Sequence, residues 1–288
     1  LLNGEKNSMI YKPLVMSNEE YHRKTKYESS STIRKVLTSP KKYLYDKTAE
    51  SVPTKAMEEG TAVHTFFLEN ELFKNRYCFK PKAFNGRTKE GKQWMEEHGH
   101  LNILGAEWEE NLIHMNHSFL ASPAKMIYDM EGLTELSFFS EDLGGIRAKC
   151  RPDWISKDKN IVVDLKTTQD ASPKGFQKSI ANFGYHIQAS WYLRVLQNLG
   201  FDSYDFIFIA IEKTAPFCVG VYRASMEMLE EGNKKVDEAI DKILWCKEND
   251  SYPDYTPNEI ETISLPPWMT KKKESDYDPN LDQEIQLY

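Results

Sequence analysis

The sequence predicts an α/β fold with a mixed central β-sheet flanked by helices and an N-terminal helical part. Two observations carry this. The order of patterns is helices, then a strand meander, then helix, strand, strand, helix. The meander is a set of short β-type runs at 133–140, 145–151, 153–157 and 160–167, separated by turn residues at Gly144-Gly145 and Asp158-Lys159-Asn160.

Taken in order, residues 17–47 read as short helices. Ser29, Ser30 and Ser31 offer a cap before Ile33, Val36 and Leu37, and Ser39-Pro40 ends that helix. A further helix starts near Met57, with Ala62, Val63, Phe66 and Phe67 on its apolar side and His64 among them. Residues 80–92 hold five bases against the single acid Glu90, with a turn at Asn85-Gly86, and read as a solvated loop or a DNA-backbone contact. A long helical region fills about 88–129. Beyond the meander, 172–199 reads as helix stopped by Gly200, 204–213 and 216–223 as strands joined near Pro216, and Ser225 as the cap of a last helix reaching about 248. This divides the chain into an extension at 1–28, a catalytic-type domain at 29–249 and an acidic, proline-containing tail at 250–288, including Trp268.

The formal charge of −7 is unevenly distributed. Residues 250–288 carry −6 of it, leaving only −1 on residues 1–249. Nucleic acid is therefore not excluded as a partner, and the expectation is a locally positive groove. Cys78, Cys150, Cys218 and Cys246 are too scattered for a zinc ribbon or a clustered iron–sulfur site, and read as buried reduced thiols. His98 with His100, and His114 with His117, lack partners at zinc-ligand spacing and read as surface histidines on helices. No run of eighteen apolar residues occurs, which predicts no membrane-spanning helix, and the start of the chain has no signal-peptide pattern.

The chemistry concentrates at residues 160–168, Asn-Ile-Val-Val-Asp-Leu-Lys-Thr-Thr. Strand alternation puts Asp164 and Lys166 on one face and Ile161, Val163 and Leu165 on the other. An acid and a lysine on a half-buried strand are costly unless neutralised, and a divalent cation would neutralise the acid. Arg151-Pro152-Asp153 opens the preceding strand, so a hairpin brings Asp153 toward Asp164 and creates an oxygen-rich site of the kind Mg2+ prefers. Carboxylates holding a metal beside a lysine suit phosphodiester hydrolysis: the metal activates water, and the lysine orients it or stabilises developing charge. Glu135 lies among apolar neighbours and needs a partner. Gln188 and Tyr192, four apart on the following helix, share one face. Arg147, Lys149 and Arg151 share the parity of Asp153, which reads as a phosphate track leading to the metal or as cross-strand pairing with acids such as Glu135 or Glu141. Ser31 and Arg34, at or near a helix N-terminus, are candidates to hold a terminal 5′-phosphate.

Together these segments resemble the RecE-type exonucleases (exonuclease VIII) of phages and prophages, within the PD-(D/E)XK superfamily, whose core is restriction-endonuclease-like. The resemblance runs from about Ser29 to Trp268. It rests on Ser29 to Tyr43, Gly60 to Glu69 around His64, Cys150 to Asp153, Val163 to Thr168, and Tyr185 to Tyr192. It implies that His64, Asp153, Asp164 and the Leu165 carbonyl ligate the metal. Lys166 then assists the attacking water, Glu135 holds a second metal or its waters, and Gln188 and Tyr192 support the site. It further implies Mg2+ (with Mn2+ as a substitute), one or two ions per site, 5′→3′ digestion of duplex DNA ends, a ring-shaped homo-oligomer with a tetramer favoured, a RecT-type annealing partner, and a cytoplasmic location in a bacterial cell or phage-infected host. Two other readings fit the same core: a PD-(D/E)XK endonuclease, and a non-catalytic DNA-end-binding recombination protein.

Overall fold

The computed structural model describes residues 13–49, 53–157, 160–201, 204–256, 260–266 and 269. Residues 1–12, Asp158 and Lys159 of one expected turn, and Trp268 with most of the acidic tail lie outside the described residues. The chain divides into one compact unit through Tyr252 and a second from Pro253 to Tyr288. Among the described residues no helix is long and apolar enough to cross a membrane.

In the first unit the helices α1 (Asn18–Arg23), α2 (Ser30–Thr38), α3 (Pro40–Thr48), α4 (Lys55–Leu68) and α5 (Asn70–Arg76) lead to β1 (Tyr77–Phe79), α6 (Lys89–His98), β2 (Asn102–Leu104), α7 (Glu107–Leu120) and α8 (Met126–Asp129). Next come β3 (Gly132–Thr134), β4 (Phe138–Leu143), β5 (Ile146–Cys150), β6 (Trp154–Ser156) and β7 (Ile161–Thr168). The unit ends with α9 (Pro173–Phe183), α10 (Tyr185–Asn198), β8 (Asp205–Glu212), β9 (Val219–Arg223) and α11 (Met226–Glu248). The central sheet has the order β3-β6-β7-β8-β9. It is mixed: β7 and β8 run parallel, and the other pairs are antiparallel.

Both faces of this sheet are covered, so β7 is apolar on both sides. Val162 joins a core with α2, α10 and α11, including Ile33, Trp191 and Ile243. Val163 and Leu165 join a second core with α4 and α7, including Val63, Phe67 and Met115.

Four sequence expectations require correction. Residues 133–140 are not one strand. Glu135 takes a left-handed backbone (φ 51°), so β3 joins the central sheet while β4 pairs only with β5. The partner strand breaks opposite, at Arg151–Asp153, where Pro152 has no N–H to continue a ladder. Residues 172–199 are two helices, because Gly184 (φ 64°) turns the chain between α9 and α10; an added Cβ there would lie 2.9 Å from Arg34 Cδ. The region 88–129 is interrupted by β2, which pairs in parallel with β1. All four cysteines are free as expected, but Cys218 is exposed and Cys78 half-buried.

Candidate active site

The register of β6 on β7 pairs Trp154 with Val163, which sets Asp153 opposite Asp164 just beyond the last rung. Asp153 is tied to β7 directly, since its Oδ2 accepts the Leu165 N–H at 2.6 Å. His64 arrives from α4 on one layer, with Nδ1 3.5 Å from the same Asp153 oxygen. Gln188 arrives from α10 on the other layer and donates to Asp164 Oδ1 at 2.7 Å. The site therefore lies midway along β7, just beyond the end of β6, and receives side chains from both helical layers.

Glu135 reaches this point because of the strand break. Its backbone N–H donates to the Asp153 carbonyl at 3.1 Å, and its left-handed conformation costs about 1–3 kcal/mol for a residue with a Cβ. His64, Glu135 and Asp153 each offer a ligand atom within 4.8 Å of the others, the one such group of three or more among the described residues. Asp164 is not in that group. Its Oδ2 is buried and faces the Lys166 ammonium at 2.6 Å, yet makes no hydrogen bond of acceptable geometry.

Burial, reinforced by Asp153, pushes the Glu135 carboxyl up to about 8, against the pull of His64 and Arg151. Burial pushes Asp164 up to about 6, against Lys166. Burial also acts to raise Asp153, but His64, Lys166 and the Leu165 N–H outweigh it and hold that carboxyl below its usual range. For His64, burial is outweighed by Asp153, and the imidazole stays above its ordinary value. Lys166 is likewise disfavoured by burial, but Asp164 and Asp153 outweigh it and keep it an ammonium. Its Nζ lies 4.8 Å from the Tyr185 ring centroid. Tyr192 is buried beside Phe206; its hydroxyl is pushed well above the phenol range by burial, then by Tyr21, Asp164 and Asp153.

These observations bear on whether a divalent cation fits. The donors are carboxylates and one imidazole with no thiolate, a set suited to hard or borderline divalent ions. Three buried acids in one place, with the Glu135 and Asp164 carboxyls pushed up although Lys166 is adjacent, call for further positive charge. The residues fit the ion.

The basic residues at 147–151 do not form a phosphate track. Lys149 is buried and donates to the carbonyls of Tyr21 (2.7 Å) and Lys24 (3.1 Å). Arg151, also buried, donates to Ser137 Oγ (2.9 Å) and the Met16 carbonyl (2.7 Å), and lies 3.8 Å from Glu135 Oε2. The physical reason is that the segment around α1 covers this face and turns its carbonyls toward the buried cations, which need acceptors there. Arg147 is half-exposed and pairs with Glu141 at 3.0 Å, one of the cross-strand acids expected. Ser31 is exposed, 2.9 Å from Ser29 Oγ. Arg34 is bound to the last carbonyl of α9, that of Phe183, and so stands beside Tyr185. Sequence reasoning gave no role to Tyr185 or Phe183, whereas the Arg151–Glu135 pairing is one of the cross-strand contacts it offered. No local periodicity signals the contacts of those two rings.

A family model described as a PDDEXK-like domain of unknown function (DUF3799) matches residues 29–265. The crystal structure of a "Putative exonuclease" from Eubacterium rectale shares 17% identity at a TM-score of 0.61, covering 88% of this chain and 97% of that one, a likeness of fold. The structure of a phage related exonuclease from Haemophilus somnus, at 13% identity and a TM-score of 0.31, covers 78% of this chain and 96% of that one. No curated protein matches. With most of its length matched by the family model, the chain belongs to the PDDEXK-like family DUF3799.

Proposed function

We propose that the protein is a metal-dependent exonuclease of double-stranded DNA that digests 5′→3′ from duplex ends, leaving 3′ single strand for recombination by strand annealing. The observation that carries this reading is the Lys166 ammonium 2.6 Å from Asp164, beside the His64, Glu135 and Asp153 cluster where β6 ends against β7. Membership of a PDDEXK-like family and the fold shared with the Eubacterium rectale protein support it.

His64, Asp153, Asp164 and the Leu165 carbonyl would hold Mg2+, or Mn2+ in its place, with Glu135 serving a second ion or its waters. Such an ion supplies neutralisation of the clustered carboxylates, activation of the attacking water and polarisation of the phosphate. Lys166 directs its positive charge at the phosphate and the water, stabilising charge that develops in the transition state. Gln188 fixes the orientation of Asp164 through its 2.7 Å hydrogen bond, and Tyr192 closes the buried side of the site. Ser31 and Arg34 hold the terminal 5′-phosphate. In this reading the chain works as a closed ring, a tetramer by family resemblance, together with a RecT-type annealing protein.

The experiment is digestion of linear duplexes labelled at either end, with Mg2+ or EDTA, beside a closed circle. Mg2+-dependent loss of the 5′ label first, with the circle intact, is expected. A nicked or linearised circle makes the protein an endonuclease; no digestion of any substrate refutes the reading.

A further inference from the structure

Outside the residues already assigned, one feature leads directly from the catalytic lysine to solvent. The Lys166 ammonium packs on Tyr185, 4.8 Å from its centroid. The Tyr185 ring in turn stacks with Phe183, with centroids 5.6 Å apart and planes at 29°. Phe183 is 57% exposed. A lone exposed phenylalanine is ordinary; other large apolar side chains on this surface, such as Trp245 and Tyr128, are exposed too. Phe183 differs because its neighbours lead to the reacting centre, and because its position is built. Gly184 adopts a left-handed turn that ends α9 there, and Arg34 grips the Phe183 carbonyl. Two cations, Lys166 and Arg34, thus flank two rings. Cations that track phosphates beside aromatic faces on which bases stack are what a single strand of nucleic acid needs.

We propose that Phe183 is a substrate-contacting residue: its ring stacks on a nucleobase of the digested strand, about one or two nucleotides from the phosphate facing Lys166. This rests on the nuclease reading. The stack is indifferent to base identity, because every base has a π-face. It would hold the strand end once it leaves the duplex, so the site grips an unpaired nucleotide through base and backbone together.

The test pairs protein and substrate deletions. Duplexes carrying one abasic residue, walked through the first four positions of the digested strand, are cut by the full-length protein and by Phe183→Ala. Loss of the ring should lower kcat/KM about 5- to 150-fold on intact duplex. At one position the abasic substrate should lower the wild type equally and Phe183→Ala no further; Phe183→Trp should retain activity. Losses that multiply at every position overturn the proposal. So does activity in Phe183→Ala equal to the wild type. A second readout needs no cleavage: 2-aminopurine oligonucleotides bound in EDTA should report quenching at one position that disappears in Phe183→Ala. If the wild type cuts nothing but this position-specific quenching persists, the nuclease reading fails and the stacking stands. Quenching unchanged by Phe183→Ala overturns the stacking even where digestion proceeds.

Discussion

Replacing Glu135 by glutamine tests the electrostatics of the site without altering its shape. Glu135 rises from 4.5 to about 8 because it is buried beside Asp153. At ~1.4 kcal/mol for each tenfold change in proton affinity this is ~5 kcal/mol, and solvent reaching a side chain 26% exposed reduces it to a few kcal/mol. The folded pKa is the higher one, so the associated stability is full below about pH 4.5 and is lost as pH rises through about 8. Metal-free wild type should therefore lose stability toward pH 9 relative to Glu135→Gln, which cannot ionise. The same shift predicts proton release. At pH 7 Glu135 is about nine-tenths protonated, so a cation that draws on its carboxylate displaces about one proton, and His64, held above its ordinary value, adds to this. Titration calorimetry of Mg2+ or Mn2+ in two buffers of different ionisation enthalpy counts these protons. Glu135→Gln should release about one fewer at pH 7, a difference that shrinks by pH 9. Equal proton counts for the two proteins, together with parallel stability profiles, would refute the assignment of Glu135 to a buried, cation-facing carboxyl.

Two further predictions follow from the same geometry. Lys166→Ala should keep cation binding by calorimetry yet lose turnover by roughly 10²-fold or more in single-turnover assays; full activity removes Lys166 from the chemistry. Arg151→Met should leave Ser137 and the Met16 carbonyl without their donor and cost about 1–3 kcal/mol in denaturant unfolding, with an unchanged salt dependence of DNA binding. A stable variant whose salt slope falls by about one would restore the phosphate track.

The sequence alone specified the α/β class, the strand bearing Asp164 and Lys166, and the proximity of Asp153. These follow from local rules: period-two alternation and a hairpin. His64 was legible only through resemblance, because some ninety residues separate it from Asp153 and no spacing rule crosses between layers. The tertiary structure alone decided three things. It broke the 133–140 run at Glu135, since Pro152 stops the opposing ladder and the freed residue can turn into the site. It turned Lys149 and Arg151 from apparent phosphate contacts into buried donors, because a covering segment presents its carbonyls to them and charge parity says nothing of what lies over a face. It set Tyr185 beside Lys166 and Phe183 against Tyr185, because a left-handed glycine aims the end of one helix at a strand whose position depends on the whole sheet.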